Sequence, residues 1–425
     1  MNRIIIVIFL LFSAIAYAQN VDSLKQLIKV AKNDSIRAKL YIEVTESVEM
    51  EQVDTIERYC ELAISIDEKQ LTNSLSKAER LFYLKNLSVS FNNLGYVFYA
   101  RDDRKKAFEF YNRAITIQEY IKDSNNLGSS YSNIARLFEA CFDTLHAMEA
   151  YKKGVVFAKE YKDNTVYTEI LYSMATLNLA NKNYIEAEKN YSDLASNSIL
   201  PEQNESKFTA LTNLGSIYAI KGDTLKAIES FKKSLDLSTQ ANHKISIAEA
   251  SNALGAIYRN QNNFTEAEYY FKLAFKTLES LKDENSLAVI LRNYSKLYIR
   301  KGVLKDAEKL ALKSMEYAKN TGSYSEIKYS AEILYQIYSL QKSNKAGEYG
   351  SLAKAMGDSV NKISRENKLF LDDFRKAYDA FDADFIKKYD EVKSQPSEKS
   401  NLTLYIIGIS LLIVFGGFYF YNKRK

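Results

Sequence analysis

Catalysis by side chains needs acids, bases, nucleophiles or metal ligands brought together, and this 425-residue sequence offers few. Its two histidines are far apart: His146 stands beside Ala147 and His243 lies in a polar turn-like segment, neither paired with a cysteine or carboxylate at triad or metal-ligand spacing. There is no glycine-rich phosphate loop or dinucleotide fingerprint. Glu266, Glu268 and Glu279 read as a solvated helix face, and Cys60 and Cys141 as buried structural thiols rather than a disulfide. The expectation is therefore a non-enzyme with no cofactor and no metal.

Recognition chemistry is better represented. Asparagine recurs at Asn93, Asn133, Asn213 and Asn293, and the position before it holds Asn92, Tyr172, Asn252 and Arg292 in successive or alternate copies. An amide presents both a donor and an acceptor, so a ladder of them can pair with an extended peptide backbone regardless of its side chains. The same residues can instead satisfy one another between neighbouring helices. Arg136, Arg259, Arg292, Lys296 and Arg300 add positive charge, mostly late in the chain.

What positions these residues is a signature that returns every 40 residues. A small-residue slot falls at Gly95, Ala135, Ala175, Gly215, Gly255 and Ser295, with Tyr335 in the seventh copy. Twelve residues after each of the first six comes an alanine: Ala107, Ala147, Ala187, Ala227, Ala267 and Ala307. An aromatic recurs three residues after most slots and another sixteen after, as at Tyr218 and Phe231. The physical reading is two antiparallel helices per repeat, small residues letting them approach and aromatics filling the wedges. No such pair buries its apolar face alone, so stacked neighbours must build a continuous core.

Leu214, Gly215, Tyr218, Ala227 and Phe231 together resemble the tetratricopeptide repeat. That resemblance implies a right-handed all-α solenoid of about seven to eight helical hairpins, and it turns the asparagine and cation positions named above toward the concave face. In some members of the family, lysine, arginine and asparagine at such positions clamp a peptide carboxylate. The departure is length, because the family's usual repeat is about 34 residues. The extra residues must lengthen the helices or their connections.

The two ends suggest export. Arg3, the apolar run Ile4 to Phe12 and Ala16-Tyr17-Ala18 read as a signal peptide over 1–18. Residues 402–421 form an uncharged apolar stretch long enough for a transmembrane helix, with the basic tail 422–425 on the cytoplasmic side. Between them the sequence divides into a solenoid over 19–355, an amphipathic helix over 356–393 that caps the array or makes a dimerising stalk, and a linker over 394–401. The expected localisation is the inner membrane, single-pass, with the solenoid in the periplasm. The layout is similar to exported tetratricopeptide proteins and sensor regions of Bacteroidetes. The net charge of +5 includes the charges of the expected signal and tail, so the remainder is close to neutral and nucleic acid is not an expected partner.

Two functions follow. The first is a membrane-anchored, non-catalytic scaffold that binds a protein or extended peptide. The second is the sensor component of a signalling or transcription-regulating system, with a cytoplasmic or membrane signalling partner. Four Asp-Ser/Thr-apolar triplets, at Asp54, Asp143, Asp223 and Asp358, resemble an O-glycosylation acceptor but are the same letters that cap helices.

Overall fold

The computed structural model describes residues 21–196 and 205–379. These hold seventeen helices: α1 (21–30), α2 (Asp34–Ser47), α3 (Val53–Leu71), α4 (Lys77–Ala100), α5 (Arg104–Ile121), α6 (Ser124–Ala140), α7 (Thr144–Glu160), α8 (Asn164–Ala180), α9 (Tyr184–Ser196), α10 (Glu205–Lys221), α11 (Thr224–Gln240), α12 (Lys244–Asn260), α13 (Phe264–Glu279), α14 (Glu284–Arg300), α15 (Leu304–Asn320), α16 (Tyr324–Leu340) and α17 (Lys345–Asp379). Consecutive helices pair as antiparallel hairpins from α2 and α3 onward, which is the expected all-α repeat architecture.

The 40-residue period divides evenly. Helices begin at Arg104, Ser124, Thr144, Asn164 and Tyr184, and again at Thr224, Lys244, Phe264, Glu284, Leu304 and Tyr324, most of them 17 residues long. Each helix thus rises about 25 Å, and the length beyond the usual repeat is shared by both helices rather than placed in a loop.

The turns between them explain that regularity. Asp102, Lys122, Phe142, Lys162, Lys182, Gly222, Asn242, Asn262, Lys282, Gly302, Gly322 and Lys342 all take positive φ, one every twentieth residue wherever the position is described. This left-handed residue ends one helix, and the next residue caps the following one. Asp103, Asp143, Asp163, Asp223, Asn263 and Asp283 accept a backbone N–H two or three residues into their helices. His243 does so too, through Nδ1, so it is structural. Of the four Asp-Ser/Thr-apolar triplets, those at Asp143 and Asp223 are caps, whereas Asp54 pairs with Arg101 and Asp358 lies within α17.

The chain divides into two compact bodies, residues 21–161 with 373–379, and residues 162–372. In the N-terminal body, Leu24 of α1 joins Leu40, Val44, Ile56 and Cys60 in one core cluster, while Leu71, Leu84, Leu87 and Phe91 form another. Gly95 of α4 lies directly against the Tyr111 ring of α5. Cys60 and Cys141 are buried free thiols, and burial pushes the Cys141 thiol up to about 12.

In the C-terminal body the same pairing sets Gly215 on Phe231 and Gly255 on Phe271. In the next repeat, where the aromatic becomes Ala311, the slot is Ser295, whose hydroxyl donates to the Ala307 carbonyl at 2.7 Å. The last hairpin inverts the arrangement: Tyr335 is half exposed and packs against Gly350 of α17, so the small residue has moved to the second helix. All six repeat alanines are fully buried.

A second recurring device holds neighbouring repeats of this body in register. The residue after the repeat alanine is glutamate at 188, 268 and 308. Glu268 accepts from Tyr298 at 3.1 Å and from Lys301 at 2.9 Å in the next repeat, Glu308 accepts from Tyr338 at 2.8 Å and Gln341 at 3.1 Å, and Glu188 pairs with Lys221. Hydrogen bonds from Lys272, then Lys301, hold the Glu268 carboxyl down at about 2. A depressed folded pKa stabilises above the unfolded value, and the contribution is lost as pH falls toward 2. Glu268→Gln is therefore expected to cost about 1 kcal/mol at pH 7. Urea midpoints of variant and parent should converge between pH 4.5 and 2, and a gap independent of pH would rule this account out.

One expectation is corrected. Among the described residues no helix is long and apolar enough to cross a membrane, which overturns the added transmembrane helix and the single-pass inner-membrane localisation resting on it. Even α17, the longest at 35 residues, is charged in nearly every turn. The stretches 1–18, 394–401, 402–421 and 422–425 lie outside the described residues. The boundary expected at 355 falls inside α17, which runs without a break from Lys345 to Asp379.

Candidate functional site

The predicted recognition residues fall into the two bodies and are described separately. In the N-terminal body, Asn92 and Asn93 sit on α4, and Asn133 and Arg136 on α6. All four line a cavity of about 420 Å³, whose apolar wall includes Val48 and Ile56 and whose aromatic wall includes Tyr96, Tyr99 and Tyr111. The repeat period brings them together, because equivalent positions on successive first helices lie side by side.

Their hydrogen bonds form a short relay. Arg136 donates to Asn133 Oδ1 at 2.9 Å, Asn133 Nδ2 donates to Asn92 Oδ1 at 3.1 Å, and the Ser130 hydroxyl reaches the same oxygen at 3.4 Å. Asn93 Nδ2 donates to the Thr45 hydroxyl at 2.9 Å. Asparagines thus do satisfy polar groups between neighbouring helices. Two groups are left over: Asn92 Nδ2 and Asn93 Oδ1 have no hydrogen-bond partner among the described residues. One donor and one acceptor on adjacent residues, with an exposed guanidinium nearby, are what an extended backbone pairs with.

In the C-terminal body, Tyr172 of α8 packs edge-on against the buried Tyr191, and Asn213 of α10 lies within hydrogen-bonding reach of that tyrosine's hydroxyl. Further along, Asn293 Nδ2 of α14 donates to Asn252 Oδ1 of α12 at 3.2 Å, repeating the Asn133–Asn92 pair. Arg259 donates to the Asn293 carbonyl at 3.3 Å, and Arg300 to the Arg259 carbonyl at 3.4 Å.

The cations here differ in what they have left to offer. Arg292 pairs with Glu326 at 3.4 Å, both only 14% exposed, and its guanidinium lies 4.8 Å over the Tyr329 ring. Lys296 has no hydrogen bond or salt bridge among the described residues; burial, then Arg292 and Arg259, lowers its pKa against the pull of Glu332 and Glu326. Arg259 and Arg300 bond only to neutral oxygens, and burial followed by repulsion from Arg300 lowers the Arg259 pKa. Three cations without a carboxylate, two of them half buried, make an anion-seeking surface.

Sequence reasoning missed Thr45 and Ser130, which orient the asparagines, and Glu326 and Tyr329, which engage Arg292. It also missed the glutamate register pairs, although a glutamate one position after three of six repeat alanines is a visible signal. His146 is held by Asp143 at 2.7 Å, its ring tilted against that of Phe138. No group of histidine, cysteine and carboxylate side chains among the described residues could hold a metal.

The Gly215–Phe231 and Gly255–Phe271 contacts are the packing that the small-residue signature required. Residues 206–280 match the tetratricopeptide repeat family model. Solved structures that align with 65% to 79% of this chain are also tetratricopeptide-like. The quorum sensor NprR from B. thuringiensis, in its apo form, aligns with 79% of this chain and 91% of its own at 15% identity and a TM-score of 0.59. The apo form of RapI aligns with 65% of this chain and 99% of its own at 13% identity and a TM-score of 0.55. Aspartyl phosphate phosphatase F from Bacillus subtilis aligns with 79% of this chain and 87% of its own at 17% identity and a TM-score of 0.54. At such identities the likeness establishes the fold. No curated protein matches the sequence.

Proposed function

We propose that this tetratricopeptide-like scaffold is a non-catalytic binding protein that takes an extended peptide or protein segment along its first helices. The observation carrying the reading is the unused donor of Asn92 and acceptor of Asn93 at the mouth of the 420 Å³ cavity, beside Arg136. Its apolar and tyrosine walls suit a side chain, while the amides suit the backbone. In the C-terminal body, Arg259, Lys296 and Arg300 favour a carboxylate or an acidic side chain.

A second reading, the sensing component of a signalling system, draws support from the likeness to a quorum sensor and uses the same surfaces. It differs in requiring that occupancy alter an output.

The test is to pan a phage-displayed random dodecapeptide library against the immobilised full chain and titrate the selected peptides by fluorescence anisotropy. Asn93→Ala with Arg136→Glu, or Arg259→Glu with Lys296→Glu, should raise Kd at least tenfold, an effect of about 1.4 kcal/mol or more. The second pair should also flatten the salt dependence. Selected peptides that bind both double variants as tightly as the parent would place the site elsewhere. For the sensor reading, cells carrying the same variants should show altered transcript levels; an unchanged profile removes it.

A further inference from the structure

The asparagine cavity carries two opposite charges that do not meet. Glu46, near the end of α2, and Arg136, on α6, both line it, with Asn92 and Asn93 of α4 between them. Neighbouring first helices touch, α2 with α4 and α4 with α6, so the charged residues stand on either flank of the amides. Glu46 makes no hydrogen bond or ion pair among the described residues. Desolvation of its carboxyl end, then repulsion from Glu43, raises its pKa, with no cation pulling the other way. Arg136 bonds only the neutral Asn133; Glu139, one turn further on, senses its charge without pairing with it. Neither charge holds helices together.

An unspent carboxylate on one flank, an unspent donor and acceptor in the middle and an unspent guanidinium on the other flank are complementary to a dipolar chain. We infer that the cavity takes a short peptide with both termini free, its α-ammonium on Glu46 and its α-carboxylate on Arg136, so that the ligand runs from α2 toward α6. This rests on the reading that the cavity binds an extended peptide, and adds the length, the ends and the direction. Length follows from helix spacing. Packed helices lie about 8–10 Å apart, and two such steps, shortened by the lean of two long side chains, leave roughly 10–15 Å between the ligand's charges. That is the span of about three to five extended residues. A single amino acid carries both charges on one carbon and cannot bridge the gap, while a cavity of 420 Å³ lies toward the small end of ligand sites and holds no long segment. The guanidinium fork takes both oxygens of a terminal carboxylate.

Equilibrium dialysis of the full-length chain against an Ala-Xaa-Xaa-Ala tetrapeptide library tests this, the library being supplied in four forms: termini free, N-acetylated, C-amidated and doubly blocked. Mass spectrometry identifies what the protein retains, and isothermal titration of the best members gives Kd. For the parent, blocking either end should raise Kd at least tenfold. For Glu46→Gln, acetylation should change Kd less than twofold while amidation still costs tenfold; for Arg136→Gln the two effects exchange. Neither side chain is buried, so both variants should melt with the parent. Should one fail to fold, the four forms measured on the parent still decide whether the ligand is dipolar. Blocked forms that bind the parent as tightly as free ones overturn the inference, as does a blocking effect that both variants leave intact or the reverse assignment of the two ends. If no tetrapeptide is retained while the panned dodecapeptides bind through Asn93 and Arg136, this inference falls and the wider reading stands; if neither binds, both fall.

Discussion

Asp67→Asn is expected to stabilise the N-terminal body by about 2–4 kcal/mol at pH 7. Asp67 sits within α3 with no solvent exposure, and among the described residues neither its carboxylate oxygens nor the nearby Asn86 Nδ2 has a partner at hydrogen-bond geometry. Burial raises its pKa to about 8, with the Asn86 amide offsetting only part. Between roughly pH 4 and 8 the folded chain therefore holds a proton that the unfolded chain has released. Stability of the parent falls as pH rises through that window, because the folded state binds more protons than the unfolded one. Asparagine fills the same volume and does not titrate. The advantage of the variant, read from urea midpoints, should open near pH 4, widen to about pH 8 and then stay constant. A difference that does not change across that range would sink the explanation.

The second large effect is steric. Gly215→Leu is expected to destabilise the C-terminal body by about 3 kcal/mol. A Cβ on Gly215 would stand 2.7 Å from Cδ1 and Cε1 of Phe231, and leucine adds three further carbons in that direction. Gly215→Ala should be nearly neutral. The Ala135–Tyr151 and Ala175–Tyr191 repeats already place a methyl group at this position, and the helix-propensity gain of about 1 kcal/mol offsets the ring's small shift. Phe231→Ala combined with Gly215→Leu should recover part of the loss, since leucine enters the vacated space. Thermal melts followed by circular dichroism separate the outcomes: a leucine variant that melts with the parent would mean the contact is not what sets the helix spacing.

Much of this protein was determined by its sequence alone. A period of 40 residues, small residues facing aromatics in most repeats and alanines buried in the first six specify paired helices, because each feature acts between residues close in the chain and each repeat meets similar neighbours. The residues flanking the asparagine cavity were legible for that reason: Asn93 and Asn133 are one period apart on adjacent first helices, and Asn92 and Arg136 lie within a turn of them.

Tertiary structure decided what periodicity cannot carry. Which amide groups remain unused depended on Thr45 and Ser130, residues outside the asparagine pattern, and on donor geometry. Arg292 and Lys296 read alike in sequence, yet Glu326 neutralises one and leaves the other unpaired, because a carboxylate 34 positions away happens to point at it. The Arg375–Asp143 ion pair joins residues 232 positions apart, one of them outside the repeat altogether. Only the folded backbone can bring such a pair together, since no local rule links residues that share neither a helix face nor a period.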